Sequence, residues 1–207
     1  MQSVVLVHGL WMPGLVMSPL AARLSRAGFQ CHLFDYTGRE RPLAANARRL
    51  AQFARELGPS HFVGHSLGGL VVMEALSSDL SLKVERVALL GTPARGCLAG
   101  RRLARYGFGR WMLGESEALW RDGRTSRWRR PEPLGVLAGS YPFGLGRSFG
   151  RLHGINDGVV CVEEAVVEGA SDFTVLPVSH SGMLLSARVA RALQHFLETG
   201  RFAAHAA

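Results

Sequence analysis

Residues 60–76 read SHFVGHSLGGLVVMEAL and contain the pattern Gly-x-Ser-x-Gly at Gly64, Ser66 and Gly68. The part before Gly64 is typical of a short strand, and the part after Gly68 is typical of a helix. A serine on a tight strand-to-helix turn is held in a strained backbone conformation with its hydroxyl exposed, and small residues are needed on both sides because strand and helix nearly touch. The glycine and serine content of the chain gives about 0.2 chance matches to this pattern, so the flanking structure carries the prediction of a nucleophile elbow at Ser66.

Short apolar runs alternate with amphipathic runs along the chain. Strands are predicted at residues 4–7, 29–36, 61–64, 84–90, 134–138 and 173–176. Helices are predicted at residues 17–26, 43–57, 66–78 and 183–197. Short, nearly all-apolar strands between helices indicate a parallel sheet that is buried on both faces. The sequence therefore predicts an α/β fold, a three-layer α/β/α sandwich of about six mostly parallel strands, in one domain that spans residues 1–207.

The chain is strongly basic, with a formal net charge of +8 at pH 7. Lys83 is the only lysine, and so one-sided a use of arginine indicates a genome-wide codon preference more simply than an acidic partner. No nucleic-acid-binding motif accompanies the charge, so we expect no nucleic-acid partner. Cys31, Cys97 and Cys161 have no close spacing, and neither a disulfide framework nor a metal site is predicted.

The N-terminal segment 3–17 is apolar but lacks the features of a signal peptide. No basic residue precedes it, and His8-Gly9 and Pro13-Gly14 interrupt it. No apolar stretch reaches the ~18 residues that a membrane span needs. We therefore expect a cytoplasmic protein without a transmembrane segment.

Residues 94–133, between the fourth and fifth predicted strands, depart from the alternation. This segment carries ten arginines and three tryptophans, Trp111, Trp120 and Trp128. Insertions beside an active site commonly act as a cap or lid over the pocket. We expect a cap here; the alternative is a surface excursion that its tryptophans anchor to the body.

A serine nucleophile needs a base, and His180 is the predicted one. Loops at the carboxyl ends of parallel strands lie on the same side as the elbow, and His180 follows the sixth predicted strand. His61 begins a strand at the opposite edge, His195 lies inside the last helix, and His205 lies in the tail. His153, in a predicted loop, is the reserve candidate.

The acid that orients this base is predicted at Asp157, in the loop system after the fifth strand. Asp79 ends a helix and Asp172 opens a strand, so both belong to the opposite edge of the sheet. Asp122 lies among arginines, with which it could simply pair. An aspartate before a glycine is also a common turn feature, and this structural role for Asp157 remains the alternative.

The oxyanion formed during acyl transfer needs two preorganised backbone donors. One is expected to be the amide of Leu67, at the start of the helix after the elbow. The other is expected to be the amide of Leu10, since Gly9 lets the loop after the first strand turn toward Ser66. The alternative for His8-Gly9 is an ordinary strand-ending turn.

Together these residues resemble the α/β-hydrolase superfamily, in its small bacterial lipase and esterase branch. The resemblance covers nearly the whole chain and rests on His8-Gly9, the elbow motif at Ser66, Asp157 before Gly158-Val159-Val160, and His180, in the order nucleophile, acid, histidine. Gly91-Thr92-Pro93 also resembles the loop that follows the next strand in such lipases.

The resemblance implies a serine triad that hydrolyses carboxylic esters through an acyl-enzyme, without a metal or cofactor. The chain departs from the family in two ways. It begins at the strand before the oxyanion loop, so the family's first two antiparallel strands are expected to be missing, as in minimal lipases. Residues 94–133 have no clear family pattern, so the substrate preference does not carry over.

We therefore expect an esterase-like or lipase-like serine hydrolase in which Ser66 attacks, His180 transfers the proton and Asp157 orients His180. Its substrate would be a small-molecule or lipid-like acyl ester. A first alternative is a thioesterase, whose arginine-rich segment would bind acyl-coenzyme A phosphates or an acidic acyl carrier protein. A second is a non-catalytic ligand-binding protein on the same fold. An anionic lipid surface is a further possible partner of the arginines and tryptophans.

Overall fold

The computed structural model describes residues 1–121, 126–144 and 152–203. Its centre is a six-stranded sheet, in the order β2-β1-β3-β4-β5-β6, in which every pair of neighbours is parallel. The strands are β1 (Ser3–Val7), β2 (Gln30–Phe34), β3 (Ser60–His65), β4 (Val84–Leu90), β5 (Leu134–Gly139) and β6 (Asp172–Leu176). The predicted α/β architecture with about six parallel strands is confirmed.

Helices cover both faces of the sheet. They are α1 (Ser18–Arg26), α2 (Leu43–Leu57), α3 (Leu67–Ser78), α4 (Leu98–Leu103), α5 (Gly107–Leu113), α6 (Glu117–Arg121) and α7 (Ala187–Thr199). Short 3₁₀ turns lie at Gly14–Met17, Gly114–Ser116, Val162–Ala165 and Ser181–Leu184.

Alternate side chains of β1 explain the layers. Val5 and Val7 pack into the core that α2 and α3 cover, whereas Val4 and Leu6 pack into the core that α1 and α7 cover. All four side chains are fully buried. A strand whose two faces both lie in a core must be apolar at every position, which is why its sequence shows an unbroken apolar run.

The strand order places a topological switch point between β1 and β3. The chain passes from β1 outward to β2 and then returns across β1 to β3, after which it continues in the other direction. Ligand sites of open parallel sheets lie in the crevice beyond the carboxyl ends of the strands at such a point. The loops after β1 and β3 carry Gly9 and Ser66, so this edge of the sheet is where the fold predicts the ligand site.

The last predicted helix, 183–197, has wrong boundaries. The chain forms the 3₁₀ turn Ser181–Leu184, and α7 begins only at Ala187. Ser186 is the reason, because its side chain accepts a hydrogen bond from the Val189 amide and caps the helix there. The second strand is likewise shorter than the predicted 29–36. The segment 94–133 contains α4, α5 and α6, none of which the apolar pattern predicted.

Candidate active site

The turn between β3 and α3 holds Ser66 at φ 53° and ψ −124°. Its strain and its position agree with the conformation predicted for a nucleophile elbow. A Cβ atom on Gly64 would lie 2.5 Å from the Gly69 Cα atom, and one on Gly68 would lie 2.2 Å from the His8 carbonyl oxygen. Side chains are therefore excluded on both sides of the serine, as the close approach of strand and helix requires.

Asp157 and His180 are hydrogen-bonded to each other. His180 Nδ1 lies 2.7 Å from Asp157 Oδ2, and the side chains are 9% and 1% exposed. Since a carboxylate oxygen accepts, the geometry is that of an Nδ1–H donor, which leaves Nε2 as the free acceptor of the ring. The two residues are 23 positions apart in sequence and meet because they follow neighbouring strands, β5 and β6.

Backbone contacts fix the Asp157 carboxylate on its other side. Oδ1 accepts hydrogen bonds from the amides of Val159 (2.9 Å) and Val160 (2.7 Å). The His180 amide in turn donates to the Asp157 carbonyl oxygen at 2.9 Å. The same aspartate therefore organises its own turn and binds His180, so its turn-forming role is compatible with the predicted orienting role.

Two glycines make room for this pair: Gly91, noted in the sequence only as part of a lipase-like loop, and Gly139, which the sequence pattern did not single out. A Cβ atom on Gly91, which has φ +54°, would lie 3.0 Å from Asp157 Oδ2 and 3.1 Å from His180 Nδ1. A Cβ atom on Gly139 would lie 2.7 Å from the Asp157 Cβ atom. Their position in the sequence could have indicated this role, since each glycine stands at the carboxyl end of a strand, at the edge of the sheet where the site lies.

Ser66 and His180 line one cavity, together with the loop after β1. Among the described residues, no hydrogen bond joins Ser66 Oγ to His180. Catalytic hydrogen bonds commonly tighten only once the substrate is bound.

The two predicted oxyanion donors flank Ser66. Leu67 is the first residue of α3, and an amide in the first turn of a helix has no intrahelical acceptor. The loop with Leu10 reaches the serine through Gly9, where an added Cβ atom would lie 3.1 Å from the Ser66 Cβ atom. Leu10 lines the cavity, whereas the Leu67 side chain is buried in the core.

The cavity has a volume of about 260 Å³ and is mainly apolar. Its far wall comes from the segment 94–133, through Cys97, Leu103, Leu113 and Trp120. Burial raises the pKa of the Cys97 thiol to about 12, so this side chain is a neutral apolar wall and not a second nucleophile. A space of this size and polarity suits a short or medium apolar group.

His65, between Gly64 and Ser66, is buried beside His180. Its Nε2 atom donates to the His180 carbonyl oxygen at 3.0 Å, and the two rings are 4.8 Å apart. Burial, and then the neighbouring His180, lower the pKa of His65 to about 3. The imidazole is therefore neutral over the working pH range and adds no positive charge next to the predicted base.

The rejected candidates lie elsewhere. His61 is the second residue of β3 and Asp172 the first of β6, both at the opposite edge of the sheet, and Asp79 follows the last residue of α3 and pairs with Arg55. His153 is exposed, and its carbonyl accepts from the Cys161 thiol. His195 lies in α7, where its ring contacts the Arg201 carbonyl. Asp122 and His205 fall outside the described residues.

Comparison with known proteins identifies the family of this chain. A sequence model of the alpha/beta hydrolase family matches residues 4–199, and the chain belongs to this family. No match is found among curated proteins. Within residues 1–121, 126–144 and 152–203, none of the helices has the length and apolar composition of a membrane span.

Among solved structures, the fold is similar to that of a mature lipase from Bacillus licheniformis, with a TM-score of 0.70 and 21% identity over 96% of this chain and 91% of that one. An esterase from Thermogutta terrifontis gives a TM-score of 0.68 at 18% identity, covering 97% and 90%. An esterase from Exiguobacterium antarcticum gives 0.69 at 15% identity, covering 96% and 92%. At these identities the likeness concerns the fold.

Proposed function

We propose that this α/β hydrolase cleaves carboxylic esters through an acyl-enzyme formed on Ser66. The observation that carries the proposal is the buried hydrogen bond between Asp157 and His180 at a cavity that Ser66 also lines. A hydrogen-bonded carboxylate and imidazole beside a strained serine form the arrangement that activates a hydroxyl as a nucleophile. The esterase and lipase structures with the same fold add support to the reaction class.

In the proposed reaction, Ser66 Oγ attacks the ester carbonyl carbon while His180 Nε2 takes the hydroxyl proton. Asp157 holds the other ring nitrogen and stabilises the imidazolium that forms. The amides of Leu10 and Leu67 donate to the oxyanion of the tetrahedral intermediate. The C–O bond then breaks, the alcohol leaves with the proton from His180, and water attacks the acyl-Ser66 ester by the reverse sequence.

We further propose that the segment 94–133 caps the acyl site. Its helices supply the apolar wall of the cavity, through Leu103, Leu113 and Trp120. At about 260 Å³ the cavity is below the range of about 300–1,000 Å³ that is usual for drug-sized ligands. Short or medium acyl chains are therefore the proposed substrates.

A panel of acyl esters tests this function. We expect p-nitrophenyl acetate, butyrate and hexanoate to be hydrolysed faster than the palmitate, because the last acyl chain exceeds the cavity. Matched coenzyme A thioesters would be compared at equal acyl length. A marked preference for the thioesters would show that the protein is a thioesterase and not an esterase. If no ester or thioester is hydrolysed, the non-catalytic ligand-binding alternative is favoured.

A second observation favours an anionic lipid surface as partner. Within residues 105–111, the side chains of Tyr106, Phe108 and Trp111 are 66%, 68% and 61% exposed. Arg105 and Arg110 alternate with them, and the stretch contains no acidic residue. Exposed aromatic rings between arginines suit the boundary between lipid head groups and acyl chains.

Vesicle binding tests this partner. We expect the protein to sediment with phosphatidylglycerol vesicles but not with phosphatidylcholine vesicles. The F108S variant should bind roughly tenfold more weakly, because it lacks the aromatic ring that inserts into the lipid. L80S is the matched control, since Leu80 is 73% exposed on the loop after α3. Equal vesicle binding by F108S and L80S would show that residues 105–111 do not bind the lipid surface.

A further inference from the structure

Trp11 has an unusual backbone conformation for a large residue. Its φ is 61°, and Trp11 and Ser66 are the two non-glycine residues with positive φ in the described part of the chain. Each adjoins a predicted oxyanion donor, since Leu10 precedes Trp11 and Leu67 follows Ser66. Strained backbone that persists at a bulky side chain clusters at functional sites, where surrounding contacts hold it.

A single hydrogen bond from the Trp11 side chain reaches the segment 94–133. The indole Nε1–H donates to the carbonyl oxygen of Met112 in α5 at 2.8 Å. The residue is 47% exposed, so core packing does not hold it in place. The loop that carries Leu10 is thus connected directly to the helices that form the acyl wall of the cavity.

The same segment has a separate attachment at Arg39. Arg39 Nε donates to the Trp111 carbonyl oxygen at 3.1 Å, and its guanidinium lies 4.1 Å from the centre of the Trp111 ring. The Glu115 amide donates to the Arg39 carbonyl oxygen at 2.9 Å. None of these contacts involves residues 8–11. Other contacts of the segment, such as the Arg95 amide with the Glu164 carbonyl oxygen and the Arg130 guanidinium with the Leu82 carbonyl oxygen, also lie away from that loop, whereas the Trp11 bond joins the segment to the predicted oxyanion loop itself.

We propose that Trp11 is a positioning residue that links the placement of the segment 94–133 to the oxyanion hole. The bond to Met112 holds Trp11 in its left-handed conformation, and this conformation orients the Leu10 amide toward the oxyanion beside Ser66. An acyl group that packs against Leu103, Leu113 and Trp120 steadies the segment and, through Met112, the donor. Binding of the acyl chain thereby favours the chemical step as well as the substrate complex. This inference rests on the proposed ester hydrolysis and deepens it.

W11F tests the link, because it removes the indole N–H and keeps an aromatic ring. We expect kcat for butyrate ester to fall roughly tenfold with KM changed by less than about twofold, since a misplaced donor retains part of its effect on the transition state. A trifluoromethyl ketone, which forms a tetrahedral adduct with the serine, should bind W11F more weakly by a similar factor. The butyrate product should bind both proteins equally.

R39A is the matched control. It removes the guanidinium contacts with Trp111, keeps the backbone bond from the Glu115 amide, and should leave kcat within about twofold of the parent, because the oxyanion loop keeps its own bond. If acyl binding steadies the donor, kcat of the parent should rise from acetate to butyrate, and this rise should persist in R39A and flatten in W11F. A merely structural role of Trp11 would alter KM or the melting temperature without this difference.

Three results would overturn the inference. They are an unchanged kcat in W11F, an equal fall of kcat in W11F and R39A, and a loss in W11F that lies in KM alone. The proposed function fails separately, through absence of ester hydrolysis in the parent protein, and the inference would then fall with it. Circular dichroism melting of each variant establishes that it is folded at the assay temperature.

Discussion

Replacing Ser66 with alanine should lower kcat for ester hydrolysis roughly 10⁶-fold, which is the loss expected when the nucleophile of a triad is removed. The remaining His180, Asp157 and backbone donors can still polarise a bound ester, but no covalent acyl-enzyme can form. KM should change little, because the Oγ atom contributes little to binding before it reacts. The measurement is the rate of p-nitrophenyl butyrate hydrolysis under saturating conditions.

Ser181 supplies the control for this substitution. It lines the same cavity and follows His180 directly, yet it has no proposed role in the reaction. S181A should retain kcat within about threefold, as is usual for a substitution outside the reacting groups. If S66A keeps more than about one per cent of the parent rate, another group is the nucleophile and the elbow is structural.

Replacing Asp157 with asparagine should lower kcat roughly 10⁴-fold, the loss seen when the corresponding acid of a serine protease becomes an amide. The reason lies at Oδ2, which accepts from His180 Nδ1 at 2.7 Å. An amide nitrogen in that position donates instead, so the ring is held with its proton on Nε2 and cannot accept the proton of Ser66. The comparison is made with kcat for the same butyrate ester.

E163Q is the matched acid-to-amide change, since Glu163 is exposed in the 3₁₀ turn that follows the Asp157 loop. We expect its kcat to equal that of the parent. A loss below about tenfold in D157N would show that another carboxylate orients His180, or that none is needed. The Asp157 side chain would then have only its turn-forming role with the Val159 and Val160 amides.

The parts of this site that follow from local rules could be predicted from the sequence. Ser66 stands between Gly64 and Gly68, and glycine is needed at both positions because the strand and the helix are in close contact there. His180 and Asp157 could be paired because a parallel sheet collects the loops after its strands at one edge. Each inference needed only a motif and the alternation of strands and helices.

Other parts depend on contacts that the sequence pattern does not contain. Helices α4, α5 and α6 have 6, 7 and 5 residues, too short for apolar periodicity, and their packing depends on the rest of the fold. Gly91 and Gly139 have a role only once β4, β5 and the Asp157–His180 pair are assembled. The positive φ of Trp11 likewise arises with a bond to Met112, 101 residues away.

The most direct test of Ser66 as the nucleophile is covalent labelling with a fluorophosphonate, which reacts with an activated serine hydroxyl and not with an ordinary one. Intact-mass spectrometry should show one adduct per chain, and peptide mapping should place it on Ser66. Labelling should be lost in S66A and slowed strongly in D157N, while S181A and E163Q label as the parent does. Folded parent protein that acquires no adduct, or acquires it on another serine, would contradict the assignment of Ser66 as the nucleophile.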